Sequence, residues 1–121
     1  MEENKRLGVL GEEAAAAEYR RRGYDIVCAN YRTRFGEVDI AAFDGEYLCV
    51  CEVKTRRPGA LVSGVEAVTP QKQKRIQAVT MELAQKLDMA DRPIRFDVAV
   101  VTPRSPSLME VELLENAFEG L

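Results

Sequence analysis

Two short runs carry the residue types needed to work on a phosphodiester. They are Phe35-Gly36-Glu37-Val38-Asp39-Ile40 and Cys51-Glu52-Val53-Lys54-Thr55-Arg56. Residues i and i+2 of a strand share a face. Glu52 and Lys54 are therefore expected to project together, with Cys51, Val53 and Thr55 on the other side. If Asp39 meets them from a neighbouring strand, two carboxylates and an ammonium converge. Such a set can hold a divalent metal and a water against a phosphate. The first expectation is a metal-dependent nuclease. Asp39 and Glu52 would bind Mg²⁺ or Mn²⁺, with the backbone carbonyl of Val53 as a third ligand. Lys54 would orient the water or offset the developing negative charge. Its own charge is expected to be fixed by Glu52. Glu12, brought in by an N-terminal helix, would complete the metal shell or hold a further water.

Composition narrows the alternatives. The 121-residue chain contains no histidine. That excludes Ser-His-Asp and Cys-His catalysis and most zinc chemistry. A metal must then be held by oxygen, which favours Mg²⁺ or Mn²⁺. The three cysteines, Cys28, Cys49 and Cys51, have neither the even count nor the CxxC spacing of a disulfide framework or zinc site. Cys49 and Cys51 read as small core residues. Residues 1–121 are expected to form one domain. No apolar run approaches a membrane span. Met1-Glu2-Glu3-Asn4 lacks the basic and apolar regions of a secretory signal, so a cytoplasmic location is expected.

Positioning elements follow from periodicity. Lys5 to Arg22 reads as a helix ending at Gly23, with Leu7, Leu10, Ala14 and Ala17 as one stripe. Gly8, Glu12, Ala15 and Tyr19 form an adjoining stripe whose small residues permit close packing on a sheet. Tyr24–Asn30 and Gly36–Phe43 read as strands. Asp44-Gly45 is a two-residue hairpin signal, and Tyr47–Thr55 is the antiparallel partner. Leu48, Cys49, Val50 and Cys51 make that strand apolar on both faces. Glu52 and Lys54 at its end must then pair with each other, a metal or a ligand. A loop from Arg57 to about Val68 is long enough to suggest function or mobility. Thr69 caps a helix that starts at Pro70 and runs to about Leu87. Its apolar face places Lys72 at the edge of the core. Ile94–Thr102 and Met109–Leu114 read as the last strands, the second at a sheet edge. The order is that of an α/β or α+β sandwich.

The net charge is −3, unevenly spread. Residues 1–75 carry 13 Lys/Arg against 12 Asp/Glu, and residues 76–121 carry 4 against 8. Arg56, Arg57, Lys72, Lys74 and Arg75 follow the acidic motif closely and are candidate phosphate contacts. Arg32 and Arg34, beside Tyr31 and Phe35, could also reach DNA. Tyr31 could stack on a base, although packing at the rim of the core is the simpler reading. The acidic strand with Glu110, Glu112 and Glu115 would face away.

Gly8-x-x-Gly11-Glu12, Gly36-Glu37-Val38-Asp39-Ile40, Glu52-Val53-Lys54-Thr55-Arg56 and Ala67-Val68-x5-Lys74 resemble the YraN family of small bacterial proteins. That family is similar to archaeal Holliday-junction resolvases and to the restriction-endonuclease-like, PD-(D/E)xK nucleases. The resemblance runs from about Lys5 to Val101. It implies a restriction-endonuclease-like sandwich, with a central mixed five-stranded sheet flanked by helices. It also implies that Glu12, Asp39, Glu52 and Lys54 hold the nuclease positions, with Lys72 near them. Val38 stands where the motif's name has proline, which removes no ligand. The substrate implied is DNA, branched or otherwise structured, read through phosphates and shape. A two-fold junction suits a homodimer, and the small size leaves room for a protein partner. The alternative is a catalytically silent nucleic-acid-binding or accessory protein on the same fold, because fold does not imply function.

Overall fold

The N-terminal periodicity becomes helix α1, Glu2–Arg21, in the computed structural model, which describes residues 2–57 and 68–119. Gly23 ends it with φ +89°. Tyr24 N–H donates to the Tyr19 carbonyl and Gly23 N–H to that of Arg20, the paired bonds of a Schellman cap. Strands β1 (Asp25–Thr33), β2 (Gly36–Phe43) and β3 (Leu48–Thr55) follow, then α2 (Pro70–Lys86), β4 (Ile94–Ser105) and β5 (Leu108–Phe118). The expected loop between β3 and α2 falls mostly on residues outside those described.

The five strands form one mixed sheet in chain order, β1-β2-β3-β4-β5. All neighbours are antiparallel except β3 and β4. That parallel pair needs a crossover, which contains α2. The helices cover opposite faces. Val50, Val79, Leu83, Phe96 and Val98 belong to the core beneath α2. Ala15, Tyr19, Cys49, Cys51, Ala99 and Val101 form the core beneath α1. The result is the α/β, restriction-endonuclease-like sandwich expected from the motifs.

Several boundaries move. Asn30 was expected to end the first strand, but pairing continues through Tyr31↔Val38 to Thr33↔Gly36. Asn30 sits at φ +53°, a conformation asparagine tolerates, and the ladder passes through it. β4 runs beyond Thr102, with Pro103 opposite Met109 and a register shift just after it. Proline is tolerated at such an irregularity. On α1, Ala15 and Tyr19 are buried while Ala17 is exposed. The stripe through Glu12, Ala15 and Tyr19 therefore faces the sheet, not the one through Ala17.

Candidate active site

β2 and β3 pair from Phe43↔Leu48 to Ile40↔Cys51, and the register stops there. Val38 packs in the core under α2 and Ile40 in the core under α1. Alternation would put both on one face, so β2 changes face at Asp39. Beyond the last pair, Val53 N–H donates to Asp39 Oδ2 at 2.8 Å. A carboxylate thus replaces the lost strand carbonyl, and Asp39 is drawn beside Glu52.

This crowding has an electrostatic consequence. Burial first, then the Glu52 charge, pushes the Asp39 carboxyl up to about 7, against the Val53 hydrogen bond. Glu12 adds to the effect. Glu52 itself is only 7% exposed. Its partner is Lys72, whose Nζ forms an ion pair with Glu52 Oε1. Of the partners open to Glu52, a neighbouring lysine, a metal or a ligand, the structure supplies a lysine from α2, because the helix start brings an ammonium onto the carboxylate. Thr69 Oγ1 accepts from Lys72 N–H at 3.2 Å and fixes that start. Burial lowers the Lys72 pKa, and the Glu52 contact more than reverses this, so the pKa is raised. Lys54 shifts the other way, lowered by burial and then by the Lys72 charge. The Glu52 and Asp39 charges favour the ammonium, as expected, but do not reverse that lowering.

Glu12 enters from α1. A Cβ built on Gly11 would lie 1.9 Å from Thr55 Oγ1. Only glycine lets the helix sit this close to the end of β3, and Glu12 is the next residue. Turned so that its nitrogen faces the two acids, the Asn30 amide donates to Glu12 Oε1 at 3.0 Å and Glu37 Oε1 at 3.1 Å. Glu12 remains raised, by burial and then by Glu37 and Glu52, despite the Asn30 bond. Asn30 and Glu37 were not singled out from the sequence. An asparagine within a strand-like run, where strands disfavour it, was the available signal for Asn30.

The acids and lysines border two hollows, each lined in part by residues from the second half of β3. A cleft of about 430 Å³ on the α2 side is lined by Glu37, Asp39, Glu52, Lys72 and Arg75. A groove of about 460 Å³ on the α1 side is lined by Gly8, Glu12, Lys54, Arg56 and Arg57. Gly8 has nothing within 4 Å of a built Cβ, so it opens the groove and does not serve close packing. Lys74 lines a different hollow, with Met81 and Phe96, and does not join the candidate site. Arg32 pairs with Glu37 at 3.5 Å. Tyr31 packs against the core, with Lys86 over its ring at 5.4 Å, which favours the rim-packing reading. Cys49 and Cys51 are buried and unbonded to each other, and burial pushes the Cys49 thiol up to about 12. Neither is a ready thiolate.

Among the described residues, no three Cys, Asp or Glu side chains are grouped closely enough to enclose a metal unaided. Asp39 and Glu52 line the same cleft as a pair. Also among the described residues, no helix is long and apolar enough to cross a membrane.

Residues 11–101 match the family described as "Uncharacterised protein family UPF0102". The chain belongs to the UPF0102 family. It is 45% identical over 116 residues to a UPF0102 protein of Geobacter sulfurreducens, covering 96% of this chain and 91% of that one. Identity to a relative from Geotalea uraniireducens is 40%, covering 97% and 92%. Identity to one from Syntrophus aciditrophicus is 41%, covering 98% and 93%. The YraN-type motifs pointed to this family. The UPF0102 match spans Glu12, Asp39, Glu52, Lys54 and Lys72.

Proposed function

We propose that this UPF0102 protein is a metal-dependent endonuclease that hydrolyses phosphodiester bonds of DNA, with a preference for structured or branched substrates. One observation carries the reading. Where β2 leaves β3, two carboxylates are held side by side in a cleft rimmed by cationic side chains. Folding gains nothing from such a pair, since like charges close together resist ionisation. The donors suit a hard divalent ion, which needs only one or two carboxylates and keeps several waters. Asp39 and Glu52 would hold Mg²⁺ or Mn²⁺, with the Val53 carbonyl, and Glu12 would serve through water. Bound there, the ion would polarise the phosphate and acidify a water.

The chain's own residues have separate tasks. Val53 N–H fixes the Asp39 carboxylate. Lys54, whose proton is held less tightly than usual, sits where it can exchange a proton with the attacking water or offset charge on the phosphate. Lys72 must release Glu52 for that carboxylate to serve, and its ammonium then becomes available to a phosphate oxygen. Arg75 on the cleft rim and Arg57 in the other groove would contact flanking phosphates, as would Arg32, Arg34 and Arg56. A homodimer, or a partner protein, would supply the additional surface that a branched substrate requires.

The ion pair between Lys72 and Glu52 is the observation that favours the alternative, a silent DNA-binding protein in which a lysine substitutes for the metal. Cleavage separates the two. Labelled four-way junction, flap, single-stranded and duplex DNA, with an RNA hairpin, would be incubated with Mg²⁺ or Mn²⁺. Wild type is expected to cut, and Glu52→Ala protein purified in parallel is expected not to. Salt-sensitive binding by both with no cutting would point to the silent alternative or to cleavage that requires the partner protein.

A further inference from the structure

The turn between β1 and β2 is built from two residues, Arg34 and Phe35, between the paired Thr33 and Gly36. Turn tips favour Gly, Asn, Asp and Ser for conformational reasons. A phenylalanine there serves none of them. Its backbone N–H is bound by Thr33 Oγ1 at 3.0 Å, so the turn is already satisfied without the ring. The ring joins neither core cluster. Phe35 is 44% exposed, although the Arg34 guanidinium lies 5.0 Å from its centroid. Arg32, on the same hairpin, is also largely exposed.

The hairpin is also aimed. Gly36, next to Phe35, borders the cleft that holds Asp39 and Glu52. A Cβ on Gly36 would lie 3.6 Å from that of Arg75, so the turn leans on α2 at the cleft rim. From Phe35 to Asp39 is four strand residues, roughly 13 Å.

We propose that Phe35 is a stacking platform for an unpaired nucleobase of the DNA strand entering the cleft, with Arg34 and Arg32 holding the adjacent phosphates. This rests on the nuclease reading and sharpens its substrate class. The bases of an intact duplex are stacked on one another and offer no face to the ring. A single strand, a flap or the opened centre of a branch does. Aromatic stacking is tolerant of base identity, so the platform would select structure and not sequence.

The test uses full-length protein carrying Glu52→Gln, so that binding is read without cleavage. Its ligands are a DNA single strand with one 2-aminopurine and the same strand in duplex. Phe35→Ala is expected to weaken single-strand binding roughly tenfold, to leave duplex binding unchanged and to abolish quenching of the probe. Phe35→Trp is expected to restore both. Thermal melts confirm folding, which an exposed turn residue should not disturb. Salt-sensitive binding that is identical in the Phe35→Ala protein, or lost equally for both ligands, would overturn the platform and leave the nuclease reading standing. Absence of salt-sensitive binding to either ligand would overturn both.

Discussion

Asp39 ionises reluctantly because burial and the Glu52 carboxylate oppose its charge. In the unfolded chain neither acts, and the group ionises near pH ~3.9. The folded state thus binds the proton more tightly. Its contribution to stability is complete below that value and is lost as pH rises to about 7. Charges facing it come from Glu52 and Lys54 on β3, Glu12 on α1 and Lys72 on α2. With a chelator present, Asp39→Asn is expected to stabilise the protein little at pH 4 and by about 2–4 kcal/mol at pH 8. Melting curves across that range check it, and a constant difference would contradict the crowding. Lys72→Met tests the neighbouring ion pair. Isothermal titration with Mn²⁺ should show about tenfold tighter binding, equivalent to about 1.4 kcal/mol, because the competing cation is gone. Glu52→Gln should abolish binding. Lys72→Met should also lower the melting temperature in chelator, by less than the about 3–5 kcal/mol of a fully buried broken pair, since Lys72 is part-exposed.

Helix α1 reaches the end of β3 only through Gly11. Gly11→Ala should cost about 1–3 kcal/mol of overpacking against Thr55, and Thr55→Ala in the same chain should recover much of it. The non-additivity is the check. Gly8→Ala, in open space on the same helix, should instead stabilise by about 0.5–1 kcal/mol. From sequence the close-packing role falls to Gly8, whereas the structure gives it to Gly11, because helical periodicity assigns a face but not the distance to the next element. The elements themselves were readable. The Asp44-Gly45 turn, the Thr69-Pro70 start and the doubly apolar Leu48–Cys51 gave the β2–β3 hairpin and α2 within a residue or two. The convergence of Asp39 with Glu52 followed from strand alternation plus motif resemblance. The change of face at Asp39 did not, since alternation assumes a regular strand. The partner of Glu52 was missed for a related reason. Spacing favours Lys54, whereas Lys72 arrives through a crossover whose geometry the sequence does not encode locally.

At the scale of the whole molecule, the acid that anchors the fold lies apart in sequence from the candidate site. Glu12 through Arg75 contains every candidate site residue, while Asp97 lies beyond it and reaches back to Tyr19. Asp97 is fully buried and accepts from Tyr19 Oη at 2.6 Å, from Arg95 Nε at 2.9 Å and from the Asn116 N–H at 3.0 Å. It ties α1, β4 and β5 together, and local sequence carries no signal of this, because Asp97 is a single acid beside an apolar run. Tyr19→Phe should cost about 1–3 kcal/mol by removing a donor from a buried carboxylate. Asp97→Ala should cost about 3–5 kcal/mol by stranding Arg95. Denaturant titration measures both. Because sheet order copies chain order, a ribosome would release this sheet from one edge outward. A nascent chain that has reached Arg75 already carries the acids and lysines of the site. The outer edge of its third strand, bearing Cys49 and Cys51, still has no neighbour until Ile94–Ser105 emerges. That interval of synthesis is when chaperones, oxidants and stray strands would meet the chain at its most exposed.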